Sequence, residues 1–516
     1  MRKFLNAIQD KVSTREHHDQ VSIAVDDGPF PNDSDLFMYR KQRGVNLGSW
    51  FVLERWIAES PFRQAKTPAQ SDLDVALGQN AKEVLERHWD TWITEQDFAW
   101  LVDRGLNTVR LPIGYYHLCG VDPSVLEGTD FTGLGHVFSG AWNRITGAIV
   151  MAQRYGLGVL IDLHAAPGKQ NRDAHGGTSG EPRFFDKKNM SHTIQVLTTL
   201  LVHLNSFCAT HDPPLVNIVG IELLNEPMQN PSLEKWYLEA IRRLRQVSPM
   251  PVYISDSWAT DQYAGYIHAH STEIPFTVLD HHLYRCFTQE DIHTPVNQHA
   301  YQLTDPNAGT PQMFARVAQK LQEAGSDLII GEWSGALNPG SLAGVGDETS
   351  ARRQYVGAQL ALFDKFCAGY FFWTYKKEHP GDKGWSLRDA VESGVFPTRV
   401  GMEANVVGDD AGREERKDRA RDAALQAHSG YWAQYPGNYD HAKFADGFVQ
   451  GWEDAWVFFS SVSRLPQNST VPELGFKGPW AKRRARDYAK ERGSNSLWEY
   501  EHGFGQGLMA AQQDLS

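Results

Sequence analysis

The 516-residue chain carries 50 Lys and Arg against 63 Asp and Glu, a formal net charge of −13, which argues against a dominant nucleic-acid or anionic-membrane partner and favours solubility. With 41% hydrophobic and 11% aromatic residues it can bury a large core, as two to four domains or as one barrel with additions. No run of about eighteen apolar residues occurs, so no membrane span is expected. Cys119, Cys208, Cys286 and Cys367 fit no metal or redox spacing and read as reduced and mostly buried.

The chain starts basic, but Asn6, Gln9, Asp10 and Lys11 interrupt any apolar core, so no secretory signal is read and the cytoplasm is the expected compartment. Phe4, Leu5, Ile8 and Val12 leave an organelle address or a docking helix as the alternative. The sequons at Asn189 and Asn468 carry meaning only in a secreted chain. After a polar lead-in over 1–40, strands are expected over 43–51 (RGVNLGSWF), 107–114 (NTVRLPIG), 157–164 (LGVLIDLH), 217–226 (NIVGIELLNE), 251–256 (PVYISD), 276–284 (FTVLDHHLY), 327–334 (DLIIGEWS) and 368–375 (AGYFFWTY). Helical patterns lie between them, at 93–104, 141–154, 192–207, 233–246, 311–324 and 350–366. The first opens on a cap region at Thr94, Gln96 and Asp97 and sets Phe98, Leu101 and Val102 on one face.

Strand and helix in alternation predict a parallel sheet, and eight units predict an α/β fold of the (β/α)8 TIM barrel type with extended carboxyl-side loops, over 41–395. A doubly wound sheet is the competitor, but its phosphate-binding glycine turn is absent after the first strand. Beyond about residue 395 the pattern changes. A charged linker or insertion (396–430) contains the dense run 408–424, a solvated helix or a mobile linker. A C-terminal helical extension (431–516) packed on the barrel follows, with Phe444, Phe448, Trp452 and Trp456 at four-residue steps over 441–459. The echo between 447–451 (GFVQG) and 503–507 (GFGQG) predicts related helix starts or close backbone contacts. The basic run 482–486 (KRRAR) reads as a solvated helix face rather than a nucleic-acid patch.

Glu226 closes the fourth strand candidate before Pro227, and Glu332 closes the seventh. In a parallel barrel both stand at the carboxyl end, where chemistry is kept. Arg110, His164, Asn225, His282 and Tyr284 join them at strand ends, with Trp373 on the last strand. Each has a structural reading: a lone His satisfies a core, and Arg110 balances a buried acid such as Glu222. Eight at one end of successive strands instead suit glycosidic-bond cleavage, in which one carboxyl protonates the leaving oxygen and another, about 5–5.5 Å away in the retaining form, attacks. Glu332 would be kept ionised by Arg110 and Tyr284, while Glu226 would hold its proton through partial burial and the charge of Glu332. Asn225 would bind the sugar 2-hydroxyl and Trp373 would floor the pocket.

The motifs RGVNLGSWFVLE, HWDTWITEQDF, LNTVRLPIGYY, IDLHAAPGKQN, LLNEP, DHHLY, IIGEWS and FFWTY, in order over 43–390, resemble glycoside hydrolase family 5, most closely its fungal exo-β-1,3-glucanases. The resemblance implies a retaining hydrolase of β-glucosides or β-glucan oligosaccharides with Glu226 as acid/base and Glu332 as nucleophile. It also implies a −1 subsite of Arg110, His164, Asn225, His282, Tyr284 and Trp373, with Glu54 on the far hydroxyls and Asn171 adding a polar contact. Phe287 matches one half of an aromatic clamp on the second sugar. The other half is missing, because 172–180 reads RDAHGGTSG where that family carries a glycine-aromatic-aspartate turn; Phe184 or Phe185 is the candidate replacement. The C-terminal helices are expected to reshape the entrance. No cofactor or metal is called for, since paired-carboxylate hydrolysis needs none and no H-E-x-x-H motif occurs. Two alternatives stay open: a β-glucosidase for a small or lipid aglycone, steryl or sphingolipid, and a non-hydrolytic sugar-binding protein.

Overall fold

The runs rich in Val, Ile, Leu and Phe become eight strands: β1 (Gln42–Asn46), β2 (Thr108–Gly114), β3 (Gly158–Ala165), β4 (Ile218–Glu222), β5 (Val252–Ser255), β6 (Thr277–Leu283), β7 (Leu328–Trp333) and β8 (Gly369–Phe372). Each pairs in parallel with its sequence neighbours, and β1 also pairs with β8, so the sheet closes into a barrel. Only Leu283, at the end of β6, is partly exposed within these strands, which explains why their sequences show no polar alternation. The computed structural model describes residues 30–403 and 411–515; the amphipathic start from Phe4 to Val12 and the first residues of 408–424 lie outside them.

A short helix, α1 (Asp33–Tyr39), precedes the barrel. The crossovers are α2 (Glu95–Asp103), α3 (Ala141–Arg154), α4 (Lys187–Thr210), α5 (Leu233–Leu244), α6 (Thr260–Ala269), α7 (Gly309–Glu323) and α8 (Glu348–Phe366). The cap expected for α2 is present: the Thr94 N–H donates to Asp97 Oδ2 at 2.8 Å, which satisfies an otherwise orphaned helix-start amide. Three strands stop well before the runs that encode them: β8 ends at Phe372 rather than at 375, which leaves Trp373 just beyond it, and β1 and β4 stop shorter still. β1 ends at Asn46 rather than at 51 because Ser49, at φ 56°, turns the chain. β4 ends at Glu222, yet the next residues still bond sideways, Leu223 N–H to Tyr253 O and Asn225 N–H to Leu163 O. Glu226 then takes φ 43°, a left-handed conformation that costs a non-glycine residue about 1–3 kcal/mol. It therefore stands on a turn beyond the strand rather than on the strand itself.

The tail forms α9 (Arg413–Trp432), α10 (His441–Ser460), α11 (Lys477–Arg492) and α12 (Leu497–Leu515). α10 and α12 meet backbone to backbone at the two echoed pentapeptides. A Cβ on Gly447 or Gly451 would lie 2.0 or 2.1 Å from the carbonyl oxygen of Tyr500 or Phe504, and one on Gly503 or Gly507 would lie 2.0 Å from that of Phe444 or Phe448. The echo is thus a reciprocal contact in mid-helix, not a pair of helix starts.

Phe448, Trp452, Trp456 and Phe476 bury themselves against Leu160, Val219, Tyr253 and Val278 of the barrel. The polar ties fall at the amino ends of the strands: Lys41 N–H to Glu473 O at 2.6 Å, and Gly478 N–H to Asp327 Oδ2 at 2.9 Å. The helices therefore seal the barrel's amino end, opposite the carboxyl-side loops, and do not reshape the entrance. The KRRAR run is not a plain solvated face either. Arg484 makes a bidentate pair with Asp454 at 2.7 Å and Lys482 meets Glu501 at 2.7 Å, both inside the tail, while Arg483 reaches Asp35 of α1 at 3.7 Å.

Candidate active site

A buried guanidinium organises the carboxyl end of the barrel. Arg110, on β2, is fully buried, and its nitrogens reach Glu222 (2.8 Å), Asn46 (2.9 Å), Asn225 (2.8 Å), Asp162 (3.1 Å) and Glu332 (3.2 Å). Leaving such a cation unpaired would cost about 3–5 kcal/mol, so three acids around it are what makes its burial tolerable. Arg110 thus balances Glu222, the structural role, and also binds Glu332, the chemical one. Burial pushes the Glu222 carboxyl well above its ordinary range in spite of Arg110.

Glu332, on β7, accepts from Arg110 at Oε1 and from the Tyr284 hydroxyl at Oε2, 2.8 Å away, and His282 Nδ1 lies 3.5 Å from the same Oε2. Glu226 Oε1 accepts from His282 Nδ1 at 2.7 Å. Ligating atoms of Glu226, His282 and Glu332 all lie within 4.8 Å of one another, so an oxygen of each carboxyl faces the other across a gap narrow enough for one anomeric carbon.

The shifts of the two carboxyls run opposite to the sequence expectation. Burial raises Glu226, but the His282 bond and charge bring it down to about 2. Burial, with the charge of Glu226 added, pushes Glu332 up against the pull of His282 and Arg110. His282 itself is held well above its ordinary value because the charges of Glu332 and Asp280 outweigh its burial. His282 Nδ1 thus stands between the two carboxyls, 2.7 Å from Glu226 Oε1 and 3.5 Å from Glu332 Oε2.

The other expected residues are distributed around this pair. Asn225 Oδ1 accepts from Arg110, and its buried Nδ2 has no partner among the described residues. His164 donates from Nδ1 to Asp162 at 2.6 Å, which leaves Nε2 without one. Trp373 stacks on the His164 ring, 5.5 Å between centroids and 4° from parallel. Glu54 accepts from Trp56 Nε1 at 2.8 Å, and burial pushes it up to about 7. Phe287 is 69% exposed and packs with Tyr284 and Trp385.

Two expectations fail. Asn171 has no free amide for a sugar: Nδ2 donates to Glu226 O and His175 Nε2, both at 3.1 Å, and Oδ1 accepts from Asp173 N–H. Phe184 is fully buried against Trp236, with Phe185 packed edge-on to it, so this pair belongs to the core and does not replace the missing clamp ring.

Sequence reasoning missed Asp162, Asp280, Gln170 and His175. The first two were findable, since Asp162 and His164, and Asp280 and His282, are two apart on strands and so share a face. Gln170 is a clamp, donating from Nε2 to His164 O at 2.6 Å and Asn225 O at 3.0 Å. His175 carried no signal, because it lies on the loop that departs from the family pattern.

A closed parallel barrel whose carboxyl end holds two facing carboxyls, each with its own set of donors, defines a class: barrel enzymes that cleave glycosidic bonds. The cellulase family (glycosyl hydrolase family 5) matches residues 77–379, and the glucan 1,3-beta-glucosidase 3 C-terminal domain matches 413–514. The chain belongs to glycosyl hydrolase family 5, and it is a glycoside hydrolase. It is 32% identical to glucan 1,3-beta-glucosidase 3 of Schizosaccharomyces pombe, over 92% of this chain and 95% of that one. It is 31% identical to an uncharacterized glycosyl hydrolase of Saccharomyces cerevisiae, over 92% and 91% of the two. Probable glucan 1,3-beta-glucosidase A of Emericella nidulans is 31% identical over 69% of this chain and 90% of its own. Among solved structures, rutinosidase from Aspergillus niger shares the fold, with a TM-score of 0.54 at 20% identity over 70% of this chain and 99% of that one.

Proposed function

We propose that the protein is a retaining β-glucosidase of the exo-β-1,3-glucanase type, cytoplasmic, that removes terminal glucose with Glu226 as acid/base and Glu332 as nucleophile. The carrying observation is the carboxyl pair: oxygens of Glu226 and Glu332 within 4.8 Å suit the short spacing of retaining enzymes better than the wider gap that admits a water in inverting ones. In the first step Glu332 attacks the anomeric carbon while Glu226 protonates the leaving oxygen. His282 Nδ1, 2.7 Å from Glu226 Oε1, is the group through which that carboxyl exchanges its proton. Arg110 and Tyr284 hold the Glu332 charge until attack. Asn225, through its unpartnered Nδ2, takes the 2-hydroxyl, and Trp373 floors the glucose. In the second step Glu226, now ionised, takes a proton from water, whose oxygen bonds to the anomeric carbon as the Glu332–carbon bond breaks and Glu332 leaves as a carboxylate.

The test is hydrolysis of 4-nitrophenyl β-glucoside, with the released anomer followed by NMR. The wild type is expected to release β-glucose first, and Glu332→Gln to be inactive; α-glucose from the wild type, or full activity in both Glu332→Gln and Glu226→Gln, would overturn the reading.

A second reading, a lipid-like aglycone, rests on the rim. Trp56 (43% exposed), Phe287 (69%) and Met228 (39%) stand on loops beside Glu54, Tyr284 and Glu226, so apolar surface borders the mouth where a second sugar would otherwise be clamped. Comparing laminari-oligosaccharides with steryl and sphingolipid glucosides separates the two, and a clear preference for the oligosaccharides sinks the second.

A further inference from the structure

Three helices of the tail bring imidazoles and a carboxylate to one point, in the part of the molecule that seals the barrel opposite its active site. Glu499, in the first turn of α12, is fully buried. Its Oε2 lies 3.0 Å from Nε2 of His428, near the end of α9, and 2.9 Å from Nδ1 of His441, the first residue of α10. These three atoms all lie within 4.8 Å of one another. A third imidazole stands close by: His502, three residues after Glu499 and so on the same face of α12, has its ring centroid 5.2 Å from that of His428.

The side chains are also held from outside the cluster. The His428 ring stacks on Phe444, 4.1 Å between centroids and 15° from parallel, and Oε1 of Glu499 accepts from the Asp440 N–H at 2.5 Å. Metal-bound carboxylates are oriented by a second hydrogen bond of this kind. Ligands of a tetrahedral zinc ion, about 2.0–2.2 Å from the metal, stand about 3.3 Å apart. The observed edges of 2.9 and 3.0 Å need only a small spread to admit one. His441, with its side chain 32% exposed, gives the ion a way in.

The packing of α9 supplies an independent reason. Among the described residues of α9, only Lys417 and His428 are buried, so the helix has no apolar stripe to dock it. Ala420 and Ala424 add small contacts, and the pairs Arg416 to Asp514 and Lys417 to Glu453 are partly exposed and open to screening by salt. His428 is the deepest anchor the helix has. Ligation through it would fasten α9 to α10 and α12 at once.

We propose that His428, His441 and Glu499 bind a zinc ion that ties α9 to the rest of the tail, with His502 or water in the fourth position. A set of imidazoles with one carboxylate suits zinc, whereas magnesium and calcium take oxygen donors. The site is structural and lies outside the hydrolytic machinery.

The experiment uses the full chain, stripped with EDTA and dialysed, and titrates it with zinc chloride by calorimetry and with cobalt chloride by absorption. The wild type is expected to take up zinc at the tail, to show the visible bands of tetrahedral cobalt, and to melt about 3 °C higher at zinc a hundredfold above Kd. For His441→Ala, zinc affinity should fall at least about a hundredfold and the cobalt bands should vanish, while turnover of 4-nitrophenyl β-glucoside without zinc stays unchanged. That unchanged turnover also shows that the variant is folded. The active site holds carboxyl and imidazole groups of its own, so Glu226→Gln is the control, and it should bind zinc at the tail as the wild type does. Zinc that binds His441→Ala as tightly as the wild type, or binding that is lost in Glu226→Gln, overturns the proposal, as does a stripped wild type that takes up no zinc.

Discussion

Tyr284 and Arg110 reach opposite oxygens of Glu332, yet they differ in what else they hold. Arg110 is tied to four other groups and cannot be removed without stranding buried acids, whereas Tyr284 gives its hydroxyl to Glu332 alone among the described residues. Tyr284→Phe is therefore the clean probe. It should lower kcat by about a hundredfold, the scale of one lost donor to developing charge, and leave the melting temperature within a degree or two. Steady-state kinetics and a thermal melt check this together; a large fall in melting temperature would mean that the ring, not the hydroxyl, matters. The shifts of the two carboxyls show where sequence reasoning stopped at this scale. Glu226 and Glu332 were legible as a pair, but the position of His282 between them is set by strands β4, β6 and β7 meeting in space.

The four glycines between α10 and α12 are the sharpest case at the level of elements. In an exposed helix Gly→Ala gains up to about 1 kcal/mol of propensity, but here the new Cβ at Gly451 would stand 2.1 Å from the Phe504 carbonyl oxygen, which cannot rotate aside. Overpacking of this kind costs about 1–3 kcal/mol or more, so the contact outweighs propensity. Gly451→Val is expected to lower the unfolding midpoint in urea clearly while leaving turnover per folded molecule unchanged, since the helices sit at the amino end of the barrel. Loss of turnover at full stability would contradict that placement. The strand ends teach a related lesson: hydrophobic runs give β1 and β4 their existence but overstate their length, because Ser49 and Glu226 turn the chain through left-handed backbone that no hydropathy pattern encodes.

Barrel and tail are joined where Asp327, at the foot of β7, accepts from the Gly478 N–H of α11. Burial pushes this carboxyl up to about 7 from an ordinary 3.8. Between those values the unfolded chain has released the proton that the folded chain still holds, so the group's contribution to stability falls as pH rises through that window. Asp327→Asn, which cannot ionise, should therefore gain stability relative to the wild type as pH is raised from about 4 to about 7, as read from denaturant midpoints at several pH values. A difference that is flat or shrinks with pH would show that Asp327 is ionised in the folded protein. Among the described residues no helix is long and apolar enough to cross a membrane.

The sequence alone determined the barrel, because eight buried parallel strands must be written as apolar runs and their helices as amphipathic ones, and both patterns are local. It also determined which side chains stand at the carboxyl end, since a strand's direction fixes where its last residues point. Only the tertiary structure decided that the tail closes the opposite end, that the echoed glycines are one contact, and that Asn171 serves Glu226 rather than a sugar. Each of these depends on segments far apart in the chain, and the distances between them are set by the closed sheet rather than by any local pattern.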